Sequence, residues 1–84
     1  MTQAGEATDL TRRLGRELAA ARVSRGLSQA DMAAHLGTNK SAAYRVEYGL
    51  FQRFSTVADY AAALGYDIEI HLTPAQREES ETTA

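Results

Sequence analysis

The chain of 84 residues has no cysteine, no tryptophan and a single proline. Without cysteine it can form neither a disulfide nor a thiolate metal site, and His35 and His71 lie too far apart in sequence to suggest another metal site. No run of about 18 apolar residues could span a membrane, and residues 1–9 lack the apolar core of a signal peptide. These absences predict a soluble, cytoplasmic protein without metal or cofactor.

Basic side chains are fewer than acidic ones, nine against eleven, so the formal net charge is -2. Taken alone, this negative net charge argues against a nucleic-acid binder. The acid is concentrated in residues 73–84, which hold one arginine against three glutamates, whereas residues 9–72 hold eight basic and seven acidic side chains. The acidic total is therefore compatible with a locally basic face, although non-specific DNA affinity should be weak and strongly salt-dependent. No nucleophile–base pair, carboxylate dyad or phosphate loop is apparent, so we expect no catalytic site and no enzyme.

Four glycines follow helix-like segments, and glycine is the commonest residue just past a helix end. They predict four helices: about residues 9–25, 28–36, 39–48 and 54–64. Ser28 and Asp31 form a capping-box pattern at the second helix, and Thr38 or Asn39 can cap the third. The apolar spacing predicts an inward face on every helix. The predicted buried residues are Leu10, Leu14, Leu18, Ala21, Met32, Ala33, Leu36, Ala43, Val46, Phe54, Val57, Ala61 and Leu64, with Leu50 and Phe51 tucked beneath.

The stretch GYDIEIHLTP, residues 65–74, breaks the helical pattern. Apolar and polar residues alternate strictly from 66 to 72, which is typical of a half-buried β-strand. No other segment reads as a strand, so we expect this one to pair with its own copy across a two-fold axis. Such a ribbon would make a homodimer. Its predicted buried residues are Tyr66, Ile68, Ile70 and Leu72.

The second and third helices are separated only by GTN, which suits two helices that cross steeply. Small Ala33 and the turn residue Gly37 stand at the positions that such a crossing requires. This spacing is that of a helix-turn-helix, in which the second helix enters a DNA major groove. The predicted organisation is a disordered N-terminus (1–7), a helix-turn-helix DNA-binding domain (8–65), a dimerisation strand (66–72) and an acidic flexible tail (73–84).

The text GLSQADMAAHLGTNKSAAYRVEYG resembles the XRE family, the Cro and phage-repressor type of helix-turn-helix domain, and the resemblance covers residues 10–64. It implies a mainly α, four-helix bundle that represses transcription at an operator in double-stranded DNA. The ending ALGYDIEIHLTP is similar to that of HigA-like and HipB-like antitoxins. That likeness implies a cognate toxin as a partner and repression of the protein's own operon.

Site residues follow from the resemblance position by position. Gln29 matches a glutamine that anchors a DNA phosphate and braces the recognition helix, and Arg22 and Glu47 match a structural ion pair. The implied DNA-binding residues are Gln29, Asn39, Lys40, Ser41, Tyr44 and Arg45. Lysine and arginine can donate to guanine O6 and N7, while hydroxyl groups can meet bases or phosphates.

Two departures from the family pattern bear on these expectations. Ala42 and Ala43 stand where threonine and a β-branched residue are usual, which predicts looser packing of the third helix. Arg53 replaces the usual serine or threonine cap of the fourth helix, and Ser55 could cap it instead. Two alternatives therefore stay open: a protein-interaction or toxin-neutralising module with little DNA binding, and a stand-alone phage-type repressor.

Overall fold

A computed structural model of the chain describes residues 8–74. It contains four helices: α1 (Asp9–Ser24), α2 (Gln29–Leu36), α3 (Lys40–Glu47) and α4 (Phe54–Ala63). The prediction of a mainly helical fold with four helices is confirmed. The predicted disordered N-terminus and residues 75–84 of the predicted acidic tail lie outside the described residues. Within residues 8–74, no helix is long and apolar enough to cross a membrane.

The caps of α2 and α3 follow from local sequence. Ser28 Oγ accepts from the backbone N–H of Asp31 at 3.0 Å, and Asp31 Oδ2 accepts from the backbone N–H of Ser28 at 2.8 Å. This reciprocal pair is the predicted capping box. Of the two candidate caps for α3, Asn39 is the one used, because its Oδ1 accepts from the backbone N–H of Ala42 at 2.9 Å.

The start of α4 differs from expectation. The helix begins at Phe54, and Arg53 occupies the cap position in an extended conformation without a side-chain hydrogen bond. Ser55 therefore lies inside the first turn, and the prediction that it caps α4 is wrong. The first turn of α4 also lacks an acidic side chain, so neither a side-chain cap nor a charge offsets the helix dipole there.

The core lies where the four helices meet. Its fully buried members are Leu18, Met32, Ala33, Ala43, Val46, Val57, Tyr60, Ala61 and Leu64, with Leu14, Ala21, Leu27, Leu36, Phe51 and Ile68 packed against it. Two residues that the spacing assigned to the core are exposed instead: Leu10 by 72% and Phe54 by 45%. Both stand in the first turn of their helices, at the margin of the bundle. Tyr60 was not predicted to be buried, yet it is fully enclosed.

Helix α1 crosses α3 at Gly15, in the middle of α1. A Cβ built there would lie against backbone atoms of α3, 2.7 Å from the carbonyl carbon of Glu47 and 2.9 Å from the carbonyl oxygen of Val46. Glycine in a helix interior normally costs about 0.5–1 kcal/mol relative to alanine. Here it lets the two backbones touch, so α3 sits directly on α1.

Residues 66–74 form no strand in the single chain that the structure describes. Ile68 packs against the core, but Tyr66, Ile70 and Leu72 are exposed by 48%, 63% and 95%. The predicted strand is therefore not observed, and three of its four apolar residues are not buried within one chain. Strand hydrogen bonds need a second strand, and the described part of the chain offers none. Pairing across a homodimer stays a prediction.

Candidate nucleic-acid interface

A compact turn joins α2 to α3. Gly37 ends α2 with φ of 69°, in the left-handed region that glycine enters without a Cβ clash. The N–H of Thr38 then donates to the carbonyl oxygen of Ala33 at 2.9 Å, which closes the helix end. After this turn the chain enters α3 through the Asn39 cap. Two eight-residue helices are thus joined by a compact connection, as the spacing predicted.

Helix α3 has two distinct faces. Ala43, Val46 and Glu47 are buried by more than nine tenths and hold the helix on the bundle. The outward residues are all exposed: Lys40, Ser41, Tyr44 and Arg45. Two of the four are cations, and no acidic side chain lies in the first turn of α3. Together with the partial positive charge of a helix N-terminus, this face is suited to an anionic partner.

Tyr44 and Tyr48 are stacked on the outer side of α3. Their ring centroids lie 4.4 Å apart and their planes meet at 24°. The pair is four residues apart, the spacing at which helix side chains touch. Stacking fixes the ring of Tyr44 along the helix rather than leaving it free. Tyr48, which is 56% exposed, was not among the predicted site residues, although its position four residues after Tyr44 could have indicated it.

Asn39 and Gln29, which the family resemblance predicts to contact DNA, each also make a hydrogen bond within the protein. The side-chain oxygen of Asn39 is used by the α3 cap, so its amide nitrogen is the group that remains for a ligand. The amide nitrogen of Gln29 donates to Glu47 Oε1 at 3.0 Å. Gln29 thereby ties the first residue of α2 to the last residue of α3, which is a bracing contact; its amide oxygen remains to meet a ligand.

Arg22 and Glu47 are brought together across 25 residues of sequence. Arg22 Nε donates to Glu47 Oε2 at 2.7 Å, and Arg22 Nη2 donates to Oε1 at 3.1 Å. This is the two-point geometry that favours arginine over lysine at such sites. Arg22 Nη1 also donates to the carbonyl oxygen of Leu27 at 2.7 Å, so the same guanidinium holds the connection before α2.

The carboxylate of Glu47 has a further donor that the sequence did not indicate. The hydroxyl of Tyr60, in α4, donates to Glu47 Oε2. One carboxylate therefore accepts hydrogen bonds from α1, α2 and α4, while its own backbone belongs to α3. Within residues 8–74, no buried side-chain nitrogen or oxygen lacks a hydrogen-bond partner. We call Arg22, Gln29, Glu47 and Tyr60 the Glu47 network.

The network changes the acidity of its members. Burial of the Glu47 carboxyl would by itself raise its pKa, but hydrogen bonds from Arg22, Tyr60 and Gln29 outweigh burial and hold the pKa below its ordinary value. Burial, reinforced by the bond to Glu47, raises the pKa of Tyr60. The hydrogen bond to Glu47 raises the pKa of Arg22. The charged carboxylate and the neutral phenol are therefore the stable forms at neutral pH.

The lowered pKa of Glu47 predicts a pH dependence of stability. Its folded pKa lies below the unfolded value of 4.5, so its contribution is complete above that value and is lost as pH falls through the folded pKa. We expect the free energy of unfolding, measured by urea titration between about pH 7 and pH 3, to fall less steeply in Glu47→Gln than in the natural protein.

Asp31 provides the comparison for that pH series. Its hydrogen bonds from the Ser28 backbone and hydroxyl also lower its pKa, so Asp31→Asn should remove a separate part of the acid dependence. The double variant should then be flatter than either single one. Equal pH slopes in Glu47→Gln and the natural protein would contradict the role of the Glu47 network.

Further basic side chains lie near the C-terminal half of α3. Arg53 and Gln52 share a surface depression with Arg45, while Arg12 and Arg16 of α1 share another with Tyr48. The sequence alone gave no reason to select any of these arginines. Their positions extend the cationic surface beyond the four outward residues of α3, and exposed arginines are suited to contact with phosphates.

Comparison with known proteins agrees with this geometry. A family model described as a helix-turn-helix domain matches residues 13–71, which is more than half of the chain. The match includes all of α2, α3 and α4 and most of α1. None of the curated proteins compared with the chain matches it. Helix-turn-helix domains present their second helix to the DNA major groove. With its compact α2–α3 turn and its exposed cationic α3, the chain belongs to the helix-turn-helix domain family.

Proposed function

We propose that the protein is a sequence-specific transcriptional repressor of the XRE type that binds a palindromic operator as a homodimer. The observation that carries this proposal is the division of α3 into a buried face and an exposed face. The buried face is fixed by core packing and by the Glu47 network, and the exposed face offers Lys40, Ser41, Tyr44 and Arg45. A rigid helix with outward donors is what direct readout of base edges needs.

A homodimer would increase the number of base pairs that the protein reads. One helix of eight residues contacts only a few base pairs, and the chain's net charge of -2 gives weak non-specific attraction to DNA. Two copies related by a two-fold axis would place two α3 helices on half-sites about 34–36 Å apart. The alternating, exposed segment that follows α4 supports such pairing. Occupation of a promoter by this dimer would exclude polymerase and repress transcription.

An autoregulating antitoxin is the context that we propose for the repressor. The support is the similarity of ALGYDIEIHLTP to the endings of HigA-like and HipB-like antitoxins. Sequencing of the adjacent genes tests it, because a small toxin gene beside this one is expected. A stand-alone phage-type repressor is the alternative if no such gene is present and the dimer still binds DNA.

A protein-interaction module with little DNA binding is the second candidate function. The overall acidity and the two alanines of α3 favour it, because a net negative chain attracts DNA weakly and because Ala42 lacks the hydroxyl group usual at its position. A gel-shift titration with DNA from upstream of the protein's own gene separates the two functions. Saturable binding of the upstream DNA that unrelated competitor DNA displaces poorly supports the repressor. Equal affinity for the upstream DNA and the unrelated DNA supports the interaction module.

Arg45→Ala is the direct test of the recognition helix. Arg45 is exposed on α3 and contributes nothing to the core, so its loss should leave the fold intact. We expect affinity to fall by about 5- to 150-fold for each half-site, with relaxed preference at one base pair of the half-site, because a guanidinium that bonds a base edge contributes about 1–3 kcal/mol. Fluorescence anisotropy on the operator and on single-base variants measures both effects.

The matched control is Arg13→Ala. Arg13 is an exposed arginine on α1, where its guanidinium is 4.0 Å from Glu17. Its replacement by alanine removes the same charge as Arg45→Ala, but from a different helix. We expect it to change affinity by less than about threefold at physiological salt, where surface charges are screened. If Arg13→Ala and Arg45→Ala weaken binding equally and uniformly over all DNA sequences, α3 does not read bases.

A further inference from the structure

The segment after α4 has an unpaired backbone. The N–H of Tyr66 donates to the carbonyl oxygen of Ala61 at 2.9 Å, which finishes the end of α4. Among the described residues, the backbone groups from Asp67 to Pro74 make no backbone hydrogen bond. Ile70 is 63% exposed and Leu72 is 95% exposed. Water can solvate this backbone, but the apolar side chains gain from being covered.

An apolar groove runs beside this segment. Its apolar lining consists of Leu10 and Leu14 of α1, Phe51, Phe54 of α4, and Ile68 and Ile70 of the segment itself. The two core positions that proved exposed, Leu10 and Phe54, both line it. An apolar covering group would therefore bury exposed apolar surface of both α1 and the segment. The polar and charged residues of the lining are Thr11, Arg13, Glu17, Glu69 and His71.

We propose that a second copy of this segment covers the groove as an antiparallel strand whose two-fold axis passes through Ile70. Ile70 then faces the partner's Ile70, and Ile68 faces the partner's Leu72, which enters the groove. This inference rests on the homodimer of the proposed function and specifies its register. The partner contributes a residue that closes each groove, so the surface is incomplete in one chain.

Alternation along the segment limits the possible registers. Residues directly opposite each other in an antiparallel pair project on the same side of the ribbon. The axis must therefore pass through a residue, because an axis between two residues would set Ile70 beside an acidic or histidine side chain. An axis through residue 68, 69, 70 or 71 keeps the four apolar side chains on one face.

Charge then selects among these four. An axis through Ile68 sets Asp67 opposite the partner's Glu69, and an axis through Glu69 sets two glutamates against each other. Like charges directly opposite destabilise a strand pair. An axis through His71 sets two histidines against each other and places Pro74, which lacks an N–H, opposite Ile68. Each of these three registers has a defect.

The register through Ile70 has none of these defects. It sets Glu69 opposite the partner's His71, twice by symmetry, and it keeps Pro74 at the end of the ribbon opposite the partner's Tyr66. In the single chain, His71 Nε2 already lies 3.3 Å from Glu69 Oε1, and both side chains are exposed by more than three quarters. They therefore share the solvent side of the segment, where the cross-strand pairs would form.

The absence of cysteine makes the register directly measurable. A single Ile70→Cys variant has its two Cα atoms about 4.5–5.5 Å apart in the proposed dimer, within the range of about 4.4–6.8 Å that a disulfide spans. Glu69→Cys and His71→Cys place their symmetry mates diagonally, at about 7–8 Å or more. We expect mild oxidation at micromolar protein to cross-link Ile70→Cys at least tenfold faster than either control on a non-reducing gel.

Each outcome bears on one level of the proposal. Fastest cross-linking at residue 69 or 71 in a protein that sediments as a dimer overturns the register and leaves the homodimer intact. Slow, equal cross-linking in all three variants of a protein that sediments as a monomer overturns the homodimer itself. Retained operator binding by the oxidised Ile70→Cys dimer shows that the trapped register is the functional one, and loss of binding overturns it.

A charge exchange tests the register without cysteine. Glu69→Lys alone removes two favourable cross-strand pairs and should weaken the dimer by about 2- to 30-fold. Adding His71→Glu restores opposite charges across the strands only if the axis passes through Ile70. With an axis through residue 69 the double variant would set two lysines against each other. Sedimentation should therefore find the double variant to dimerise more tightly than Glu69→Lys, and weaker dimerisation would overturn the register.

Discussion

Glu47→Ala is expected to lower the free energy of unfolding by about 3–5 kcal/mol, the usual cost of removing one partner from a buried ion pair. Glu47 is only 6% exposed, and its carboxylate accepts from Arg22, Gln29 and Tyr60. Truncation leaves the guanidinium, the amide and the phenol without their acceptor in a place that water reaches poorly. A small domain has about 5–15 kcal/mol of stability in total, so much of the variant should be unfolded by modest heating.

The matched control is Glu17→Ala. Glu17 belongs to an ion pair with Arg13 on the surface of α1, with both side chains 71% exposed, and such pairs contribute about 0–1 kcal/mol. Urea unfolding followed by circular dichroism gives both values at one pH. A loss in Glu47→Ala no larger than that in Glu17→Ala would show that the Glu47 network does not support the fold.

Ile70→Glu combined with Leu72→Glu should abolish the dimer and reduce operator affinity by at least 100-fold. Both side chains are exposed in the single chain, so each protomer should still fold, with an unfolding midpoint lowered only by the lost stabilisation from dimerisation. The affinity falls because a second half-site bound through a linked partner adds about 10²- to 10⁴-fold to binding. Analytical ultracentrifugation measures the dimer, and anisotropy on a two-half-site operator measures the affinity.

The control for that variant is Ala20→Glu combined with Val23→Glu. These two residues are also exposed, on α1, and the substitutions add the same two negative charges. The control should stay dimeric and lose far less affinity, which separates loss of the partner from simple repulsion of DNA. A variant at 70 and 72 that is monomeric yet binds the full operator as tightly as the natural protein would refute the two-half-site mechanism.

Much of the fold could be predicted because its signals are local. Helix ends depend on the residues within one turn, so Ser28 with Asp31 and Gly37 predicted the bounds of α2 closely. The inward positions of α2 and α3 followed from spacing, because both helices are short and packed along their length. Spacing failed for Leu10 and Phe54, since a periodic pattern shows which way a residue points and not whether another element reaches it.

The candidate site was less predictable where it depends on distant residues. Arg22 and Glu47 could be paired only through a family resemblance, and the contribution of Tyr60 was missed because nothing near it in sequence signals a buried hydroxyl with an acceptor. The strand was expected from the alternation of apolar and polar residues. Alternation can be read from one segment alone, whereas strand hydrogen bonds form between two neighbouring strands. For this reason, the sequence predicts the segment's shape and the single chain leaves it unpaired.

The division of α3 between two tasks has a consequence for how the protein can evolve. Its attachment to the bundle depends on Ala43, Val46 and Glu47, whereas the exposed residues Lys40, Ser41, Tyr44 and Arg45 contribute little to the core. Substitutions at those outward positions should therefore change the free energy of unfolding very little. If the outward residues read an operator as we propose, a lineage can change its operator preference through single steps that are neutral for stability, and a duplicated copy can diverge in target without first acquiring stabilising mutations.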